Sequence, residues 1–241
     1  MKNKKMKFIR GADNFDLLLP PVEAKKVIPA WYKDLAGYRA GTSNDIRHLK
    51  PVNDRGGDGS DVSTKLCNPF IDSLTMGYSY LLEADLHVSI DGDGLPVISW
   101  DSDVHLIDTR PFIDIVIPSD CHPIHFGVKM HWHYETPPGY SLLLTHPLNR
   151  WDLPFFVASG VVDSDIWGLP AFIPFFIKRG FQGVIPKGTP IMQMIPIKRD
   201  PWELDIDTSN SSVEKHRILE EKRRSHITGH YRKTTWQKKQ Y

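Results

Sequence analysis

The sequence predicts an all-β fold. Short apolar runs of strand length follow one another between residues 77 and 197, with prolines and glycines between them at short intervals. One run, 77–90, ends in strict alternation at Ala84, Leu86, Val88 and Ile90, the period of a strand with one buried face. It leads directly into Asp91-Gly92-Asp93-Gly94, a hairpin turn in which glycine tolerates positive φ. Such spacing belongs to a sandwich or barrel rather than to βαβ units.

Taken in order, residues 1–66 form an N-terminal segment and a long polar loop. Pro29 removes a backbone donor, which argues against one long helix there. A short helix is expected over 30–37, with Trp31 and Leu35 facing inward and Gly37 ending it. Residues 41–66, rich in Gly and Asp, read as loop. The core domain spans 67–205, with strands expected at 77–90, 95–100, 112–117, 124–134, 140–146, 154–162, 171–178 and 190–197. Pro174 and Pro196, inside apolar runs, imply an edge or a bulge. The tail, 206–241, holds a helix over 211–224 capped by Ser211 or Ser212, with Glu220 and Arg224 as an i,i+4 pair, and then an extended or loosely docked arm at 230–241. The chain has no internal repeat.

Composition narrows the function classes. An apolar fraction of 40% in 241 residues supports a sizeable core. Two cysteines, Cys67 and Cys121, make no disulfide framework and fit a reducing compartment. No apolar run has the length of a signal sequence or a membrane helix, so a cytoplasmic setting is expected, in a bacterium or a virus-infected cell. The net charge of +1 hides an asymmetry: Val213–Tyr241 carries nine Lys/Arg and three Glu, so the tail is +6 and the rest −5. A basic tail with Tyr231, Trp236 and Tyr241 interleaved is a candidate grip for a nucleotide or single-stranded nucleic acid, or an arm that packs on a neighbour.

The densest candidate site is Ser159–Gly168, "SGVVDSDIWG". Asp163 is the candidate water-activating base, and Asp165 a candidate ligand contact; the alternative is an Asx-type turn between two strands. Upstream lie "MGYSY" (76–80) and "PPGYSLLL" (137–144), and downstream "PKGTPIMQMIP" (186–196). This order resembles the dUTPase and dCTP-deaminase-like superfamily, a β-clip or distorted jelly-roll fold. The resemblance implies a trimeric homo-oligomer, Asp163 as catalytic carboxylate and Gln193 as a phosphate contact. Arg150, in "THPLNRWD" (145–152), is a candidate substitute for the family's phosphate-binding motif. Ile166 stands where the family has its sugar-stacking tyrosine, Ser79 replaces its metal-side aspartate, and the glycine-rich C-terminal arm is absent. The same segments, with "IPAWYKDL" (28–35), "CNPFIDSLTMGY" (67–78) and "WQKKQY" (236–241), are similar to a group of uncharacterised proteins frequent in tailed-phage genomes. The leading expectation is therefore a non-catalytic, oligomeric binding or assembly module. A nucleotide hydrolase or deaminase-like enzyme is the alternative.

A third reading rests on histidines. His122, His125, His131, His133 and His146 fall within 25 residues. On a strand, His131, His133 and Glu135 share one face, a start for a divalent metal site of a cupin-like enzyme. Cys67, before "NPF" at a helix start, is expected to be a small buried residue.

Overall fold

The structure, a computed structural model, describes residues 4–11, 19–37, 63–110, 115–224 and 230–239. It is mainly antiparallel β-sheet with a few short helices and divides into two compact units, Met1–Val27 with Thr75–Asp200 and Ile28–Leu74 with Pro201–Tyr241.

The first unit holds the strands. They are β1 (Lys7–Arg10), β2 (Val22–Glu23), β3 (Tyr78–Leu81), β4 (Leu86–Ile90), β5 (Pro96–Trp100), β6 (Ile107–Arg110) and β7 (His125–Lys129). There follow β8 (Trp132–Glu135), β9 (Tyr140–Thr145), β10 (Phe155–Val157), β11 (Gly160–Val162), β12 (Phe172–Ile177), β13 (Gly183–Ile185) and β14 (Pro190–Lys198). A five-stranded sheet runs β11-β9-β14-β3-β2 and a four-stranded one β10-β12-β7-β6, with smaller sheets β13-β4-β5 and β1-β8. Strand alternation sends Tyr80, Leu142, Leu144, Met192 and Met194 of the first sheet and Phe126, Val128, Phe155, Ile173 and Phe175 of the second into one buried core.

Several expected strands are broken, for tertiary reasons. Residues 77–90 form two strands. The run 124–134 splits into β7 and β8: Lys129 and Met130 still donate to the carbonyls of Leu106 and Ala171, the next residues along the neighbouring strands, but the His131 N–H turns to the Tyr80 hydroxyl. The hairpin at 91–94 forms, with Gly94 at φ 79° and the Asp91 carboxylate accepting from the N–H groups of Asp93 and Leu95 at 3.0 and 2.8 Å. Residues 111–114 lie outside the described residues, and 115–117 are not a strand; β6 lies earlier, at Ile107–Arg110. Pro196 falls where β14 keeps only β9 as a neighbour, its pairing with β3 having ended at Met194.

The second unit is helical: α1 (Ala30–Asp34), a 3-10 turn at Thr64–Leu66, α2 (Asn68–Thr75), α3 (Asn210–Arg224) and α4 (His230–Thr234). In α1 the buried side chain is Tyr32, stacked on Phe70 at 5.8 Å, whereas the Trp31 side chain expected inside is exposed. Most of the polar loop expected at 41–66 lies outside the described residues. The C-terminal helix forms as α3, but 230–241 is not extended throughout, since α4 occupies its start. Cys67 is exposed rather than buried, and its carbonyl opens α2 by accepting from Phe70 and Ile71. No helix among the described residues is long and apolar enough to cross a membrane.

Candidate functional site

Strand register places three rows of side chains on the face of the five-stranded sheet opposite the core. The first is polar: Ser79, Gln193 and Thr145 face one another across β3, β14 and β9, and Thr145 meets Ser159 hydroxyl to hydroxyl at 2.7 Å. The second is apolar, Ile195, Leu143 and Val161. The third begins with Ile197 opposite Ser141 and continues to Asp163.

Asp163 and Asp165 sit in a tight turn. The N–H groups of Ile166 and Trp167 both donate to the Asp163 carbonyl, at 3.0 and 2.8 Å. Ser164, buried, meets the hydroxyl of Thr136 at 2.6 Å. The closing glycine is required by packing: a Cβ on Gly168 would stand 2.4 Å from the Tyr134 carbonyl oxygen, and the Gly168 carbonyl accepts from Tyr134 at 3.1 Å.

The turn is held by an arginine from just beyond β14. Arg199 donates from Nη1 to Asp165 Oδ1 at 2.9 Å and from Nη2 to Oδ2 at 2.5 Å. The same Nη1 reaches Asp163 Oδ1 at 3.2 Å and Ser141 Oγ at 3.1 Å, and Ser141 Oγ donates to Asp163 at 2.8 Å. Gly139, at φ 82°, closes the ring. Its N–H donates to Asp165 at 2.7 Å, and its carbonyl accepts the Arg199 N–H at 2.9 Å. The segments "PPGY", "DSD" and the end of β14 are thus one connected unit. The two acids differ in setting: the Asp165 side chain is 6% exposed and that of Asp163 62%. The Arg199 guanidinium and then the Gly139 N–H hold the Asp165 carboxyl well below the usual carboxylate range, at about 2.

Gln193 and Arg150 lie elsewhere. Gln193 is opposite Thr145, four residues along β9 from Ser141, which at strand rise is about 13 Å. Its buried amide is committed to backbone: Oε1 accepts from Leu148 at 2.9 Å and Nε2 donates to the Met76 carbonyl at 2.6 Å. Arg150, partly buried, forks onto Asp152 with contacts of 2.9 to 3.2 Å. Its backbone carbonyl pairs with His146 Nε2 at 3.1 Å.

The histidines are dispersed. His131 precedes β8 and is buried, with Nδ1 2.5 Å from Glu83 Oε2. Glu135 is exposed beside Lys7 at 3.2 Å, and the partly exposed His133 pairs with Ile9 across β8 and β1. No group of three His, Cys, Asp or Glu among the described residues is arranged to hold a metal ion. His146 stacks on Phe156 at 5.0 Å, and burial lowers its pKa.

One cluster was not anticipated. The Tyr80 hydroxyl accepts the His131 N–H at 2.8 Å and donates to Glu83 Oε1 at 2.8 Å, so Tyr80, Glu83 and His131 form a closed buried network. Its signal was Glu83, an acid between apolar residues in "YLLEADL". Cys121 is buried, and desolvation with Asp120 beside it pushes the thiol up to about 11, away from nucleophilic use.

In the tail, Arg217 is spoken for by Glu214 at 2.7 Å and by Glu221. Trp236 Nε1 donates to Asp72 at 2.9 Å, and Lys239 pairs with the same carboxylate at 2.7 Å. Trp236, one of the three aromatics expected to stack on a base, is therefore anchored on α2; Tyr231 is exposed, and Tyr241 lies outside the described residues.

No family model and no curated protein matches this chain. What the fold and site define is a mainly antiparallel β protein whose acid turn is cross-braced by arginine.

Proposed function

We propose that this chain is a non-catalytic, oligomeric binding or assembly module built on a β-clip type of sheet arrangement. The observation that carries the reading is the separation of the candidate residues. The acid turn occupies one end of β9, while Gln193 and the Leu148 loop it holds occupy the other, about 13 Å away. A hydrolytic centre needs its base beside the groups that bear the developing phosphate charge. Here Arg199, the cation next to Asp163, is already forked onto Asp165, and Arg150 is forked onto Asp152. The acid turn acts as a brace that fixes the end of the sheet, and the module works through its surfaces.

Thermal shift against a panel of nucleoside mono-, di- and triphosphates at millimolar concentration tests this. No stabilisation is expected. A concentration-dependent rise in Tm that disappears in Asp163→Ala would establish a nucleotide site at the turn and overturn the reading.

A further inference from the structure

The stretch that leads from Asp200 towards α3 carries an unusual surface. Pro201–Asp207 reads Pro-Trp-Glu-Leu-Asp-Ile-Asp and has no regular secondary structure. Large apolar side chains alternate strictly with acids, the pattern of an amphipathic extended segment. Trp202, Leu204 and Ile206 are 90%, 88% and 74% exposed. One bare apolar residue on a surface is ordinary; three at alternate positions of a seven-residue segment are the mark of a contact. The arm is not a fraying end. It begins after Arg199, which is fixed by Gly139 and Asp165, and it ends at Asp207, which accepts the Ser209 N–H at 2.8 Å and the Ser212 hydroxyl.

Two arms do not satisfy each other as paired strands. Any pairing that keeps apolar opposite apolar also sets acid opposite acid, as Glu203 against Asp205 with Leu204 facing Leu204. Like charges directly opposite destabilise a strand pair, and an isolated two-stranded ribbon is marginal in any case.

A complementary surface stands on the first unit. Val161, on the sheet-edge strand β11, is 61% exposed, and Ile166 and Trp167 in the turn after it are 81% and 59% exposed. The same turn is bound by Arg199, immediately before the arm. The root of the arm and the apolar surface therefore share one end of the sheet. Copies that meet at this end can pass arms to one another, reciprocally in a pair or head to tail around a ring.

We propose that the arm of one copy lays Trp202, Leu204 and Ile206 over Val161, Ile166 and Trp167 of a second copy, with Glu203, Asp205 and Asp207 left in water. A subunit that gives one arm and receives another covers six large side chains. At on the order of 100–150 Å² each, that is about 600–900 Å², the range of the ~800 Å² per partner of a standard interface, against roughly half as much for either surface alone. This inference rests on the oligomeric reading above and gives it a contact.

Light scattering coupled to size exclusion on the full chain tests it. The wild type is expected at two or more times the 27.6 kDa chain mass. The arm variant Trp202→Ser/Leu204→Ser/Ile206→Ser and the surface variant Ile166→Ser/Trp167→Ser are each expected to run as monomers with unchanged far-UV circular dichroism, since all five side chains are exposed. A monomeric wild type overturns both this inference and the oligomeric reading. An oligomeric wild type whose arm or surface variant keeps its mass overturns the arm contact alone.

Discussion

Arg199 and Asp165 are joined by two parallel hydrogen bonds, at 2.9 and 2.5 Å, between residues 34 positions apart. A guanidinium fork on a carboxylate is directional as well as strong, so it sets the angle between the end of β14 and the turn after β11. Asp163, mostly in water, takes only one contact from the same guanidinium. The two acids therefore differ in setting: Asp165 anchors the turn, and Asp163 stays largely in water.

Asp165→Asn should lower Tm by a few degrees at neutral pH, and Asp163→Asn by clearly less. The difference is also pH-dependent. The Asp165 carboxyl, held by Arg199 and then Gly139, titrates at about 2 in the folded chain, against about 3.9 when unfolded. A depressed folded pKa contributes stability above the unfolded value and loses it as pH falls through the folded one. Between about pH 4 and pH 2 the wild type should therefore lose its margin over Asp165→Asn, which thermal unfolding at stepped pH will read. Asp207, also lowered to about 2, titrates in both proteins and cancels in the comparison.

Gln193→Ala should destabilise the fold by about 2–4 kcal/mol, because it strands the Leu148 N–H and the Met76 carbonyl at once. Gln193→Glu keeps the acceptor but turns a carboxylate oxygen towards the Met76 carbonyl, and should be no better. Urea unfolding with unchanged m-value is the readout. A stability equal to wild type would free the side chain for a ligand role.

Tyr80→Phe removes the hydroxyl that links the His131 backbone to Glu83 in a buried site. A loss of about 1–3 kcal/mol is expected. Glu83→Gln, which keeps the shape and one acceptor, should cost less than Glu83→Leu, which leaves Tyr80 and His131 without their shared partner. Chemical denaturation of the three variants orders them.

Local chemistry made part of this legible in the sequence. The 91–94 hairpin and the antiparallel character follow from glycine tolerance and period-two alternation, and the C-terminal helix was legible too, but Ser211 and Ser212, expected to cap it, lie inside α3, and Ser209 stands before its start, its carbonyl accepting from Val213 at 3.1 Å. The break between β7 and β8 was not legible, because it is made at a distance: the His131 N–H turns to the hydroxyl of Tyr80, 51 positions away. β13 was missed because three residues beginning with a glycine at φ 135° carry no alternation to detect. At the site, the acids, "PPGY" and Gln193 were visible as types, but their partners were not. Arg199 sits beyond a proline-interrupted strand, and Gln193 bonds to residues 45 and 117 positions away. Spacing alone could group Asp163, Gln193 and Arg150; only strand register separates them along β9.

As proposed above, the acid turn is a brace for the sheet and not a hydrolytic centre. The direct measurement is steady-state hydrolysis of a nucleoside triphosphate panel, with magnesium, by wild type and Asp163→Ala at micromolar protein. Both proteins should stay at the buffer rate for every nucleotide. Turnover by the wild type that falls to the buffer rate in Asp163→Ala, with that variant still folded, would contradict it.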